Sequence, residues 1–197
     1  MDTPIAISRS GLRSSRSWRS RVAAVTADDP GVAAFNRLPP GTATARLVAC
    51  NGATGWAAVV EGGRPYADRS EIRVAAEQAS AALRAVDVQV ALDGHPRIGQ
   101  RPGTGSQWSQ DEQSGVRRDE STLAAVAQGN RDYEQRFGHL YLVCATGLDA
   151  EQMLADLRAR LGNDAETEQR VVASELAKIA QLRVERLLDE LGSESHS

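Results

Sequence analysis

The sequence predicts an all-α fold: a compact, single-domain multi-helix bundle with a long functional loop. Three observations predict it. Apolar residues recur at helical spacing through residues 70–86 and again through residues 165–191. No βαβ alternation and no repeat of fixed period runs along the chain. Between Asp93 and Gly115, prolines, glycines and polar residues make one long irregular connection, the kind of loop that carries function inside a compact domain.

Taken in order, residues 1–32 set Arg9, Arg13, Arg16, Arg19 and Arg21 among serines, with almost nothing to bury, and read as a disordered basic leader. A transit peptide has a similar composition, but the leader has no apolar h-region, which argues against secretion. The domain is expected over residues 33–191. Pro39-Pro40-Gly41 and the glycines at 52, 55, 62 and 63 break its first part into short pieces. Ser70 is a cap candidate for a helix from Glu71 that carries Ile72, Ala75, Ala76, Ala79, Leu83 and Val86 on one face. After the long loop, Leu123 to Phe137 reads as a helix stopped by Gly138, and Tyr141-Leu142-Val143-Cys144-Ala145 as a short apolar run, extended or buried. A helix starts near Asp149 and runs through Leu161. Gly162-Asn163-Asp164 is a turn, and one long amphipathic helix follows from Ala165 to Leu191, its stripe made of Val172, Leu176, Ile179, Ala180 and Leu187. Residues 192–197 read as a disordered tail.

The bulk properties narrow the function. At 197 residues, with 41% hydrophobic and 25% charged residues, the chain can bury one real core. A formal net charge of −3 gives no global attraction to polyphosphate, so no nucleic-acid partner is expected. No apolar run reaches the roughly 20 residues of a membrane span, so no membrane partner is expected either. Cys50 and Cys144 lack ligand or CxxC spacing, which points away from a disulfide framework or zinc site and fits a cytoplasmic protein.

Three places can carry chemistry. In His95-Pro96-Arg97-Ile98-Gly99 the proline biases His95 toward an extended backbone, presenting a side chain able to exchange a proton near neutral pH; a surface-loop histidine before a turn is the plainer reading. Ser109, Glu112 and Gln113 share one face of a helical turn, and Ser109-x-x-Glu112 is equally a capping box. Arg183 falls on or beside the apolar stripe, where a cation needs an anion, whether a protein carboxylate or a ligand. Asn130-Arg131-Asp132-Tyr133 and Phe137-Gly138-His139 read as a helix end with its packing anchor. A metal site from His95, Glu112 and His139 has no HExxH or CxxC spacing behind it, and no metal is expected.

Five motifs taken together resemble one family, the 2-oxo-4-hydroxy-4-carboxy-5-ureidoimidazoline (OHCU) decarboxylases. They are His95-Pro96-Arg97-Ile98-Gly99, Trp108-Ser109-Gln110-Asp111-Glu112-Gln113, Asn130-x-x-Tyr133-x-x-x-Phe137-Gly138, Tyr141-Leu142-Val143-Cys144-Ala145, and Lys178-Ile179-Ala180-Gln181-Leu182-Arg183. The resemblance implies a single all-α domain, often a homodimer, that needs no cofactor and decarboxylates a ureidoimidazoline from urate oxidation to (S)-allantoin. It implies that His95 and Glu112 are catalytic and that Pro96, Ser109, Gln113 and Arg183 bind substrate, together with backbone groups of Val143 and Ala145. Trp56 and Arg64-Pro65-Tyr66 echo the family, whereas the leader has no counterpart in it, and the ending Ser195-His196-Ser197 differs from the peroxisomal Ser-Lys-Leu. Two other functions remain open on the sequence: a non-enzymatic helical binding module, and a metal-assisted amidohydrolase that chelators would inhibit.

Overall fold

Prolines and glycines that look like breaks in the N-terminal part turn out to be helix ends. The computed structural model describes residues 28–95 and 120–194. The first helix, α1 (Pro30–Arg37), starts with Pro30 inside its first turn, where no amide hydrogen is needed, and Asp29 caps it by accepting from Gly31 N at 2.8 Å and Val32 N at 3.0 Å. Pro40 plays the same part at the start of α2 (Pro40–Asn51), and Gly52 ends that helix in the left-handed region at φ 92°. Helix α3 (Thr54–Gly62) follows, buried on Trp56, Ala57 and Val60. The short pieces expected between Pro39 and Gly63 are therefore whole helices, each with one apolar face. Val32 is fully buried and α1 begins at Pro30, so packed chain starts before the Ala33 suggested by composition.

The link from α3 to α4 (Arg69–Ala81) is held from inside, and its Arg64–Pro65 bond is cis. The buried Arg64 guanidinium donates to Phe35 O and Leu38 O, both at 2.8 Å. Asn36 and Tyr66 exchange two bonds, side-chain amide to carbonyl at 2.7 Å and backbone N–H to amide oxygen at 2.9 Å. Helix α4 is capped by Asp68, which accepts from Glu71 N at 2.9 Å, so Ser70 lies inside the helix rather than capping it. Trp56 spans the α3–α4 packing, its indole N–H shared between Ala76 O and Ser80 Oγ, both at 3.0 Å. The helix stops at Ala81 instead of running to Val86. A new helix, α5 (Ala85–Asp93), buries Val88, Ala91 and Leu92 and leaves Val86 56% exposed.

Beyond the undescribed stretch come α6 (Glu120–Phe137), α7 (Ala150–Arg160) and α8 (Ala165–Glu194). Gly138, at φ 76°, ends α6 where the sequence places the stop. Asp149 and Gln152 form a reciprocal capping box at the start of α7, with bonds of 2.8 and 2.9 Å. Helix α8 is the spine. Its expected stripe is buried throughout, and the buried face continues through Leu191 and Gly192.

The core falls into two apolar clusters, the larger of which is built on this spine. The larger packs α1 to α5 against α8, and the smaller holds Tyr133, Tyr141, Val143, Ala145, Met153 and Leu157. Where α1 crosses α8 the backbones nearly touch, and a Cβ on Gly31 would lie 2.1 Å from Leu188 O. Arg69 ties the same corner from outside, bonding Asp29 at 2.7 Å, Asp189 at 2.8 Å and Glu185 at 2.9 Å. Among the described residues no strand occurs and no helix is long and apolar enough to cross a membrane, and the fold is all-α as predicted.

Candidate active site

Helix α5 ends at Gly94, and the next residue is His95. The turn folds the imidazole back onto the helix it has just left, so that Nδ1 lies 2.8 Å from Ala91 O. A carbonyl only accepts, so Nδ1 carries the hydrogen in that bond. In the neutral ring the lone pair then sits on Nε2, and the tautomer is set by the backbone. Residue 95 is half-buried, with Nε2 shielded from solvent.

Arg183 is 4% exposed, on the buried face of α8 between Ile179, Ala180, Val184 and Leu187. The stripe position read from the sequence is thus confirmed as a buried cation. Its charge reaches the end of α2. Burial pushes the Cys50 thiol up to about 12, and the positive charge of Arg183 is the leading influence in the opposite direction. Two residues on, Gly52 lies so close to α5 that a Cβ there would come within 3.1 Å of Ala91 Cα. The same Ala91 holds His95 through its carbonyl. Ala91, which holds His95, and the charge of Arg183 thus both reach the C-terminal end of α2, against which α8 is packed.

Val143 and Ala145 are 8% and 7% exposed. The run around them has no regular secondary structure, yet its side chains alternate: Leu140, Leu142 and Cys144 pack toward the larger cluster, whereas Tyr141, Val143 and Ala145 enter the smaller one. A period of two is the mark of an extended backbone, so of the two expectations for this run, extended and buried, both hold. The run is anchored by side chains from two helices. Arg160 donates to Leu142 O at 2.7 Å, and Glu175 accepts from Cys144 N at 2.8 Å.

Arg160 and its partner were not singled out from the sequence. Glu168 is fully buried and accepts from Arg160 Nε at 2.8 Å, Arg160 Nη2 at 2.6 Å, Asn163 Nδ2 at 2.7 Å and the Tyr133 hydroxyl. Burial works against the charge on Glu168, but Arg160, Tyr133 and Asn163 together hold its carboxyl below the usual range. The signal was present: Met153, Leu157 and Arg160 share one helical face, as do Glu168, Val172, Glu175 and Leu176.

Pro96, Ser109, Glu112 and Gln113 lie outside the described residues. His139 is half-buried and packs edge-on to Tyr133 at 5.5 Å, beside Phe137. Among the described residues no cluster of His, Cys, Asp and Glu is arranged to hold a metal. A groove of about 330 Å³ lined by Tyr66, Ser70, Glu71, Val74 and Gln78 contains none of the predicted site residues.

Comparison with known proteins adds the chemistry. The chain matches the OHCU decarboxylase family model over residues 36–185. It is 27% identical over 138 residues to a 2-oxo-4-hydroxy-4-carboxy-5-ureidoimidazoline decarboxylase of Amia calva, covering 67% of this chain and 79% of that protein. It is 27% identical over 148 residues to the uric acid degradation bifunctional protein TTL of Arabidopsis thaliana, covering 72% of this chain and 46% of that one. A crystal structure of OHCU decarboxylase in the presence of (S)-allantoin shares the fold with a TM-score of 0.64 and 27% identity, over 72% of this chain and 96% of that chain. A crystal structure of (S)-allantoin synthase, at 17% identity, matches in fold with a TM-score of 0.62 over 79% of this chain and 53% of its own.

Proposed function

Because this chain belongs to the OHCU decarboxylase family, we propose that it acts as a carboxy-lyase that releases carbon dioxide from OHCU to give (S)-allantoin in urate degradation, with His95 at the proton-transfer step. The observation that carries the role of His95 is its 2.8 Å bond to Ala91 O, which fixes the tautomer and leaves Nε2 as the basic nitrogen.

The reaction makes modest demands on a protein. When the carbon–carbon bond to the carboxylate breaks, carbon dioxide leaves and the electron pair passes into the adjacent ring imine and carbonyl. A proton must then reach one face of the ring carbon. The substrate supplies its own electron sink, so no cofactor enters the scheme, and the protein contributes orientation, desolvation and a proton. Nε2 of His95 either takes the proton of the 4-hydroxyl or delivers one to the new carbanion. Arg183 pairs with an anionic or carbonyl oxygen, and its burial strengthens that pairing relative to water. Ser109, Glu112 and Gln113 hold the ureido group, Pro96 borders the site, and backbone groups of Val143 and Ala145 complete it. The domain works as a homodimer in the cytoplasm, without nucleic-acid partners.

The test supplies freshly oxidised urate with the upstream hydrolase and follows chiral allantoin with and without the protein. The protein should accelerate formation of the (S) form, and His95→Asn should abolish that while melting at the wild-type temperature. Racemic product at an unchanged rate would overturn the assignment. An unimpaired His95→Asn would remove His95 from the chemistry. Sedimentation of the pure protein reads the oligomeric state.

A further inference from the structure

The run from Tyr141 to Ala145 is largely buried without belonging to a helix or a sheet, so apart from Ala145 O, which accepts from Leu148 N at 3.0 Å, its peptide groups need partners other than a backbone ladder. Two are met by charged side chains, on either side of Val143. Arg160 of α7 donates to Leu142 O at 2.7 Å, and Glu175 of α8 accepts from Cys144 N at 2.8 Å. Both clamps are themselves braced. Arg160 is locked by the buried Glu168 at 2.6 and 2.8 Å, and Glu175, 8% exposed, pairs with Lys178 at 2.6 Å.

The geometry of a trans peptide turns these two bonds into a statement about a third residue. In each peptide unit the C=O and the N–H point in opposite directions. Fixing Leu142 O toward Arg160 therefore aims Val143 N–H the other way, and fixing Cys144 N–H toward Glu175 aims Val143 C=O away as well. In an extended run the N–H and C=O of one residue lie on the same edge. Val143 accordingly presents a donor and an acceptor side by side, and among the described residues neither group has a hydrogen-bond partner.

We propose that Arg160 and Glu175 are positioning residues, holding the peptides on either side of Val143 so that its N–H and C=O meet an H–N–C=O unit of the substrate as a matched pair. This rests on the decarboxylase reading, in which the substrate carries such units in its ring and ureido arm. It also accounts for a buried ion pair that stabilises little for its desolvation. Arg160 has a second task at Leu142 O, which an apolar residue there could not perform.

Glu175 is the residue to test, since its removal leaves the Arg160 network whole. Glu175→Ala should raise KM about tenfold, the worth of one or two hydrogen bonds, with kcat falling less than about threefold. Glu175→Gln, whose carboxamide oxygen still accepts from Cys144 N, should restore KM to within about twofold of wild type. A merely structural role would not move the Val143 amide resonance on titration with (S)-allantoin. In the wild type and Glu175→Gln that resonance should shift, and in Glu175→Ala the shift should require about ten times more ligand. The proposal fails if Glu175→Ala keeps the wild-type KM, or if Glu175→Gln is as impaired as Glu175→Ala. A wild-type protein without turnover would instead defeat the decarboxylase reading itself.

Discussion

Glu168→Ala is the substitution that tests the architecture most severely. It removes the carboxylate that faces Arg160, Asn163 and the Tyr133 hydroxyl, in a position with no exposure at all. Breaking a buried ion pair from one side costs about 3–5 kcal/mol, because the surviving charge stays buried. Arg160 retains Leu142 O at 2.7 Å and a distant Asp156 at 3.5 Å, so the middle of that range, about 4 kcal/mol, is the expectation. For a domain of this size that lowers the melting temperature by roughly 8–16 °C. Urea unfolding of the wild type, Glu168→Ala, Arg160→Met and the double variant Arg160→Met with Glu168→Ala would close a cycle. The double variant should be less damaged than the sum of the two single changes. A loss below about 1 kcal/mol in Glu168→Ala, or strict additivity in the cycle, would refute the reasoning. The same carboxyl sets an acid limb. Its native pKa lies below the unfolded one, so the native state binds the proton less tightly. The stabilisation is therefore complete above an unfolded value of about 4.3 and is lost as pH falls through the lower native value. Glu168→Gln should flatten that limb in melts between about pH 5 and pH 2.

Two further outcomes follow from packing. Gly31→Ala would drive a Cβ to 2.1 Å from Leu188 O, a backbone atom that cannot rotate away, and should cost at least about 2 kcal/mol, read by thermal or urea unfolding; a neutral Gly31→Ala would mean that α1 and α8 do not cross so closely. Burial raises the Cys50 thiol to about 12, so iodoacetamide at pH 8 should leave it unlabelled in the native protein and modify it once urea is added, with peptide mass spectrometry as the readout; rapid native labelling of Cys50 would contradict the burial.

What the sequence reveals and hides follows from how each residue works. Helix α8 is legible because Gly162-Asn163-Asp164 marks its start and its buried residues keep a helical period along its length. The first three helices are not, since Pro30, Pro40, Gly52 and Gly62 are punctuation, and punctuation marks an end without saying what lies between. The α4–α5 corner hides for the opposite reason. Val86 continues the period of Ile72, Ala79 and Leu83, and no glycine or proline interrupts it, yet the chain turns at Ala82–Arg84, where Asp87 bonds the Arg84 backbone and side chain. Among the candidate site residues, the buried position of Arg183 is readable from the stripe. The parts played by Arg160, Glu168 and Glu175 are not, because a charged residue on a helix is ordinarily taken for its wet face until a partner on another helix is known. Pro96, Ser109, Glu112 and Gln113 lie outside the described residues and stand on their motifs.

A helix of 30 residues is a rod about 45 Å long. Near one end of that rod Glu168 and Glu175 bond Tyr133 of the smaller cluster and the Cys144 backbone beside it, and Arg183 lies about four turns beyond Glu168, within the larger cluster. Neither half of the domain owns its own wall. A shift that tilts the rod at one end swings the other, so a chimera of this domain should inherit α8 whole, with Glu168 and Glu175 as well as its apolar stripe.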